Sequence, residues 1–388
     1  MEDIKTIDRT VKDLKNGKFI TENTINNEYF QDYITQVGVN NHLYDNYDDN
    51  ELIDFDDDNV LRIVGGFYGN MGVLSFGDAR AVANINPEFL ADGSVKGPGT
   101  TEPVAWSFDE FRYFTNCTTI FDRAISKCPV QSITIPRSVT NIVGVLTLQG
   151  LFDCKSLKVD KVNPVYTDMR KNCVVEKDTM RLITATSSTC EDMPPIKSIK
   201  TGGIYLIGHN IENVLFGQAI TEDNCTTNLV LPSTLENMET NAIAGCVFDV
   251  FDMSKCNKLV PENTIAGGHP KDAHIYNIAC KKMILKNVTI TDCSDYALLT
   301  NPEFLTQLEL ISVPEIGAAA FKDCANLNTI IVRDVIPPVV TDTSLPKTAT
   351  IYVPDEAVDI YKEYINNPSN PWLTYTSQIK PLSEYKPE

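Results

Sequence analysis

Phe321-Lys322-Asp323-Cys324-Ala325-Asn326-Leu327-Asn328-Thr329-Ile330-Ile331-Val332 sets an aromatic residue three positions ahead of a cysteine, then a leucine, then a short β-branched run. The phrase recurs with variations. Phe152-Asp153-Cys154-Lys155-Ser156-Leu157-Lys158-Val159 opens the same way, and Cys128 leads into Ile133-Thr134-Ile135-Pro136. Cys225 leads into Leu229-Val230-Leu231-Pro232, and Cys246 into the run from Val247 to Met253. Self-similarity at a short period is the mark of a repeat architecture. One unit of about 20 residues cannot bury its own apolar face, so neighbours must stack and share a core.

Strand candidates centre near Ile133, Val159, Val230, Val250, Ile284, Leu308, Ile331 and Tyr352. The last three are about 21 to 23 residues apart, within the range of leucine-rich units. Between residues 159 and 230 the spacing is larger and requires one or two degenerate repeats or an insertion. Arg181-Leu182-Ile183-Thr184-Ala185 and Ile204-Tyr205-Leu206-Ile207 are the candidates there. Proline-led turns follow the strands at Pro136 to Ile142 and at Pro232 to Met238, because proline cannot donate to a ladder.

The flanks read differently. Ile4, Ile7, Val11 and Leu14 follow a three-four spacing, with Asp3 placed to cap and Gly17 to terminate. A second helix is expected over 27–36, where Phe30, Tyr33, Ile34 and Val37 share a side. Residues 1–59 thus make a helical and acidic segment suited to anchoring or homo-oligomerisation. Residues 60–107 form a lead-in without a defined pattern, bounded by the Lys96 to Pro103 loop. The solenoid is expected over 108–353. At 354–388 a C-terminal cap follows, in which Asp355 caps a helix carrying Val358, Tyr361, Tyr364 and Ile365 on one face.

Chemistry is sparse. In the acidic run from Asp45 to Asn59, Asp54, Asp56 and Asp58 match positions 1, 3 and 5 of an EF-hand loop. Asn59 and Gly65 then replace the turn glycine and the bidentate glutamate, so a solvated acidic linker is expected, with no metal. Gly65, Gly66, Gly69 and Gly72 lack the spacing of a phosphate-binding loop. His42, His209, His269 and His274 read as loop residues; His269 and His274 flank Pro270 and share no helical face. The 11 cysteines all lie at or beyond Cys117 without a CxxC pair, and several hold the same repeat phase. They read as small buried thiols, since unoxidised cysteine is among the most buried residue types. No catalytic residue and no cofactor is expected.

A formal net charge of −19 makes nucleic acid a poor partner. No stretch approaches a membrane span, so no membrane insertion is expected. The amino terminus, Met1-Glu2-Asp3-Ile4-Lys5-Thr6-Ile7-Asp8, has no apolar centre for a signal peptide, and the expectation is of a chain not exported by that route.

Ser132-Ile133-Thr134-Ile135-Pro136-Arg137-Ser138-Val139-Thr140-Asn141-Ile142 resembles the BspA-like leucine-rich repeat, as does Ala320 to Leu327. Ser107-Phe108-Asp109-Glu110-Phe111-Arg112-Tyr113-Phe114-Thr115 is similar to the lead-in before the first repeat in many members, and Ile351 to Tyr385 to their carboxyl end. The resemblance implies a mainly β fold with short helices: an irregular solenoid, preceded by a small mixed α/β or helical region and closed by a capping helix. It also implies a binding or structural module without catalytic residues. Similar proteins occur as surface adhesins of anaerobic bacteria and as virion components in bacteriophages of gut bacteria. The absent leader, the repeat-free amino-terminal third and the few well-formed units favour a virion protein, with other virion proteins or a host-surface ligand as partner. A bacterial cell-surface adhesin is the alternative.

Overall fold

The structure is a computed structural model that describes residues 48–50, 52–54, 75–85, 106–121, 124–125, 130–144, 154–205, 228–362 and 371–387. The two amino-terminal helices expected from sequence, Asp56 and Asp58 of the acidic run, and the Lys96 to Pro103 loop lie outside these residues. The chain divides into two compact units between Thr189 and Cys190.

In the first unit, β1 (Trp106–Phe108), β2 (Val130–Ile135) and β3 (Ser156–Val159) form a parallel ladder in that order. A second parallel ladder joins the two-residue strands Asn84–Ile85, Thr119–Ile120 and Asn141–Ile142. The lead-in residues Phe108, Phe111 and Phe114 pack ring to ring at 5.2–5.9 Å and are fully buried in the core they share with Ile133, Ile135, Leu157 and Val159. Ahead of them, α1 (Phe76–Ala81) starts at a capping box in which Ser75 and Asp78 satisfy each other's backbone N–H.

Past β3 the repeat gives way. β4 (Tyr166–Thr167), β5 (Cys173–Glu176) and β6 (Arg181–Ala185) pair antiparallel, so Arg181 to Ala185 is part of an insertion and not a degenerate parallel rung. The insertion also finishes the edge of β3. The Val159 N–H donates to Asp168 Oδ2 at 3.0 Å, and the Leu157 N–H donates to Asn172 Oδ1 at 3.3 Å. Between those two side chains Met169 and Arg170 hold φ of 50° and 57°, and Asn172 itself holds 51°. Left-handed backbone costs roughly 1–2 kcal/mol per residue for L side chains, so this turn is kept by the contacts it makes.

Asn163 ties the insertion to the repeats. Its Nδ2 donates to the carbonyls of Pro136 and Val139, and its Oδ1 accepts from the N–H groups of Val165 and Tyr166. An amide has two donors and two acceptor sites, and all four are in use here. The Asn163 carbonyl in turn accepts from the buried Lys177 ammonium. Burial lowers the Lys177 pKa from 10.5 to about 8, against the pull of Asp160, Asp168 and Asp178. That drop corresponds to about 3 kcal/mol of bias against the charged form in the folded state. Between pH 8 and 10.5 the unfolded chain holds the proton that the folded chain has lost, so stability rises with pH in this window. Lys177→Met should abolish that rise. In urea denaturation, its unfolding free energy relative to wild type should fall by about 3 kcal/mol from pH 8 to 10.5. A pH-independent difference would contradict the reading.

The second unit holds the longest regular run. β7 (Leu229–Val230), β8 (Val247–Asp252), β9 (Ala279–Lys286), β10 (Gln307–Ile311), β11 (Thr329–Val332), β12 (Thr350–Val353) and β13 (Ile379–Pro381) form one parallel sheet in chain order. Leu229, Phe251, Met283, Leu308, Ile330, Ile351 and Ile379 stand in a single in-register column. All seven are buried, and each contributes about 2 kcal/mol by leaving water. Two residues on, Leu285, Leu310 and Val332 make a second inward column. Another parallel sheet links the two-residue strands from Ile204–Tyr205 to Val339–Val340, through Ile243–Ala244, Ile275–Tyr276, Ile265–Ala266, Thr289–Ile290 and Glu315–Ile316. Chain order is broken once, where Ile275–Tyr276 lies before Ile265–Ala266. Neither sheet is closed.

After β12 the chain makes a 3-10 turn, Asp355–Ala357, and a five-residue helix α2 (Val358–Lys362). Val358 and Tyr361 of the expected helix lie in α2, and Tyr364 and Ile365 lie outside the described residues. Asp355 does not cap it; its carboxylate accepts the Ser383 N–H at 2.9 Å. Tyr361 carries the packing instead. It is fully buried, 4.9 Å from the Trp372 ring, and its hydroxyl donates to the Asp334 carbonyl at 2.8 Å.

Candidate binding surface

Strand side chains alternate between faces, so each inward column of the second unit leaves an outward one beside it. Lys282, Gln307, Thr329 and Thr350 form one outward column, all half-buried. Asp252, Ile284, Glu309, Ile331, Tyr352 and Lys380 form the next. The face is ridged at the rung spacing and carries charge of both signs. Across it, Arg333 Nε donates to Glu309 Oε1 at 2.7 Å, linking neighbouring rungs.

One tail residue lies on this face. The Tyr385 ring sits 5.2 Å from the Tyr352 ring, and Gln307 Nε2 donates to its hydroxyl at 3.4 Å. The two partners are 78 residues apart in the second contact, which is why repeat phase gives no hint of it.

Among the described residues, the cysteines and histidines singled out in the sequence make packing and backbone contacts. Nine cysteines (117, 154, 173, 190, 246, 256, 280, 293 and 324) are buried thiols. Burial pushes the Cys256 and Cys324 thiols up to about 12 and raises Cys173 and Cys190 well above the usual range. Such thiols are protonated and inert at neutral pH. Native protein treated with Ellman's reagent at pH 8 should therefore release colour from no more than two of its 11 cysteines until denaturant is added. Rapid reaction of three or more would mean that some repeat-phase thiols are accessible.

His274 Nδ1 accepts the Ile265 N–H at 2.9 Å, and burial holds its imidazole below the ordinary range. His269 Nδ1 accepts the Lys271 N–H, and its ring meets Tyr296 edge-on at 4.8 Å. Both are loop residues, between Ile265–Ala266 and Ile275–Tyr276. His42, His209, Cys128 and Cys225 lie outside the described residues. Among the described residues no group of three or more His, Cys, Asp or Glu side chains is placed to hold a metal ion. No helix among them is long and apolar enough to cross a membrane.

Stacked parallel rungs with an in-register core and an outward ridged face define a β-strand repeat architecture. The family described as the BspA type leucine rich repeat region matches residues 105–189 and 271–340, in six copies. Those segments include the phrase from Phe321 to Val332, and the first includes the antiparallel insertion. A comparison with curated proteins finds no match to the chain.

Proposed function

We propose that this chain is a non-enzymatic structural and binding protein of a bacteriophage particle, on the capsid, a head fibre or the tail. Its repeats serve protein–protein or host-surface contacts. The observation that carries the binding role is the outward face of β8 to β12, where half-buried polar and aromatic side chains repeat at rung spacing. The repeat-family match is consistent with that role. In this reading residues 1–59 anchor or oligomerise the chain, and residues 354–388 close the end of the solenoid. The presence of the chain in purified particles, assayed by mass spectrometry, tests the virion role, and its absence from them would sink it.

The same family match supports a second reading, a cell-surface adhesin of the BspA-like type. Brief protease treatment of intact cells should then release peptides from residue 108 onward. Release of none would remove this alternative.

A further inference from the structure

Ile331 is only 1% exposed, yet it points away from the core. Its strand neighbours Ile330 and Val332 face inward, and it pairs in register with the half-buried Glu309 and Tyr352. A side chain on the outer face of a sheet loses its solvent only when something lies across that face. The Tyr385 contacts identify the cover. Its ring meets Tyr352 on β12 and its hydroxyl meets Gln307 on β10. Rungs are about 4.8 Å apart, so a phenol that reaches from one of these strands to the other must cross β11 between Thr329 and Ile331.

We infer that the outer face of β10 to β12 carries a binding site for a tyrosine side chain presented at the end of a tight turn, and that Tyr385 of the chain's own tail, which follows the 3-10 turn Leu382–Glu384, is its resident occupant. The site has the two elements such a ring needs. Ile331 and the Tyr352 ring supply an apolar and aromatic bed, and the Gln307 amide supplies a donor for the hydroxyl. Between β13 and the ring the tail is held by the Asp355 carboxylate, which accepts from the Leu382 and Ser383 N–H groups and from the Ser383 hydroxyl on the solvent side. These bonds converge on one exposed carboxylate, so a partner protein carrying a tyrosine just after a tight turn can compete with the tail. The tail then acts as a latch that keeps Ile331 covered until such a partner arrives. This deepens the binding role proposed above by naming the partner's chemistry. Finding the chain in virions, or failing to, leaves the peptide result untouched.

The test uses the full chain and the synthetic peptide Leu-Ser-Glu-Tyr-Lys-Pro-Glu, the sequence of residues 382–388. A tethered tail competes at an effective concentration in the millimolar range, so removing its ring should strengthen peptide binding at least about tenfold. Calorimetric titration of Tyr385→Ala should show that gain over wild type, and a peptide with alanine in place of tyrosine should bind neither protein. Asp355→Ala, which loosens the tail and leaves the face intact, should shift affinity in the same direction. The inference is overturned if Tyr385→Ala and Asp355→Ala, folded by circular dichroism, bind the peptide no better than wild type.

Discussion

Replacing Gly317 by alanine is expected to destabilise the second unit by about 3 kcal/mol or more, the upper range for overpacking a rigid site. A Cβ built there would stand 2.2 Å from the carbonyl carbon and oxygen of Thr291 and 2.4 Å from the Asp292 nitrogen. All three obstacles are backbone, so no rotamer change relieves the clash. Nor can the strand simply step back, because the Gly317 N–H donates to the Ile290 carbonyl at 2.8 Å in the same rung contact. Gly268 provides the contrast. Its Cβ would meet the Thr291 hydroxyl at 2.3 Å, a side-chain atom that can turn away, leaving mainly the cost of a φ of 76°. That cost is about 1–2 kcal/mol. Urea denaturation should therefore rank Gly317→Ala as the more harmful change, and a loss below 1 kcal/mol at Gly317 would contradict the close rung-to-rung approach.

Phe321→Ala should cost about 3–5 kcal/mol, the usual range for removing a fully buried phenylalanine. Its ring is 0% exposed and its N–H donates to the Ser344 carbonyl at 3.0 Å. The turn it opens closes through the Cys324 N–H to the Phe321 carbonyl and the Leu327 N–H to the Cys324 carbonyl. Cys324→Ala removes a single sulfur from the same turn and should cost only about 1 kcal/mol. The pair separates packing from chemistry. If Cys324 mattered for more than filling space, its alanine variant would lose function out of proportion to that small loss, whereas Phe321→Ala would act through unfolding alone.

The repeat scaffold was legible in the chain because burial along a solenoid follows local phase. Each of the eight strand centres read from the sequence lies in or at the end of an observed parallel strand, from Val130–Ile135 to Thr350–Val353. Leu308, Ile330 and Ile351 fall in register at the spacing expected of them. The cysteine reading held for the nine described thiols, which are buried within strands, as Cys280 is, or close to them, as Cys154, Cys246 and Cys324 are. Phase failed where the repeat was broken. Arg181 to Ala185 looks like a rung by composition, but β5 turns it back to pair antiparallel, and strand direction leaves little mark on a five-residue apolar run. Likewise Asp355 has the composition of a helix cap, yet its carboxylate is used 28 residues away at Ser383.

Composition and repeat spacing thus settle that the chain builds stacked β rungs around a core of aliphatic, aromatic and cysteine side chains. They do so because each unit buries the residues adjacent to its own strand. The folded chain alone decides which groups meet across the rungs. Asp168 and Asn172 finish the edge of β3, Lys177 is buried against Asn163, and Tyr385 meets Tyr352 and Gln307 from the far end of the chain. These contacts join the repeats to the insertion and to the tail, or lie within the insertion, and no local period encodes a pairing between positions that only folding brings together.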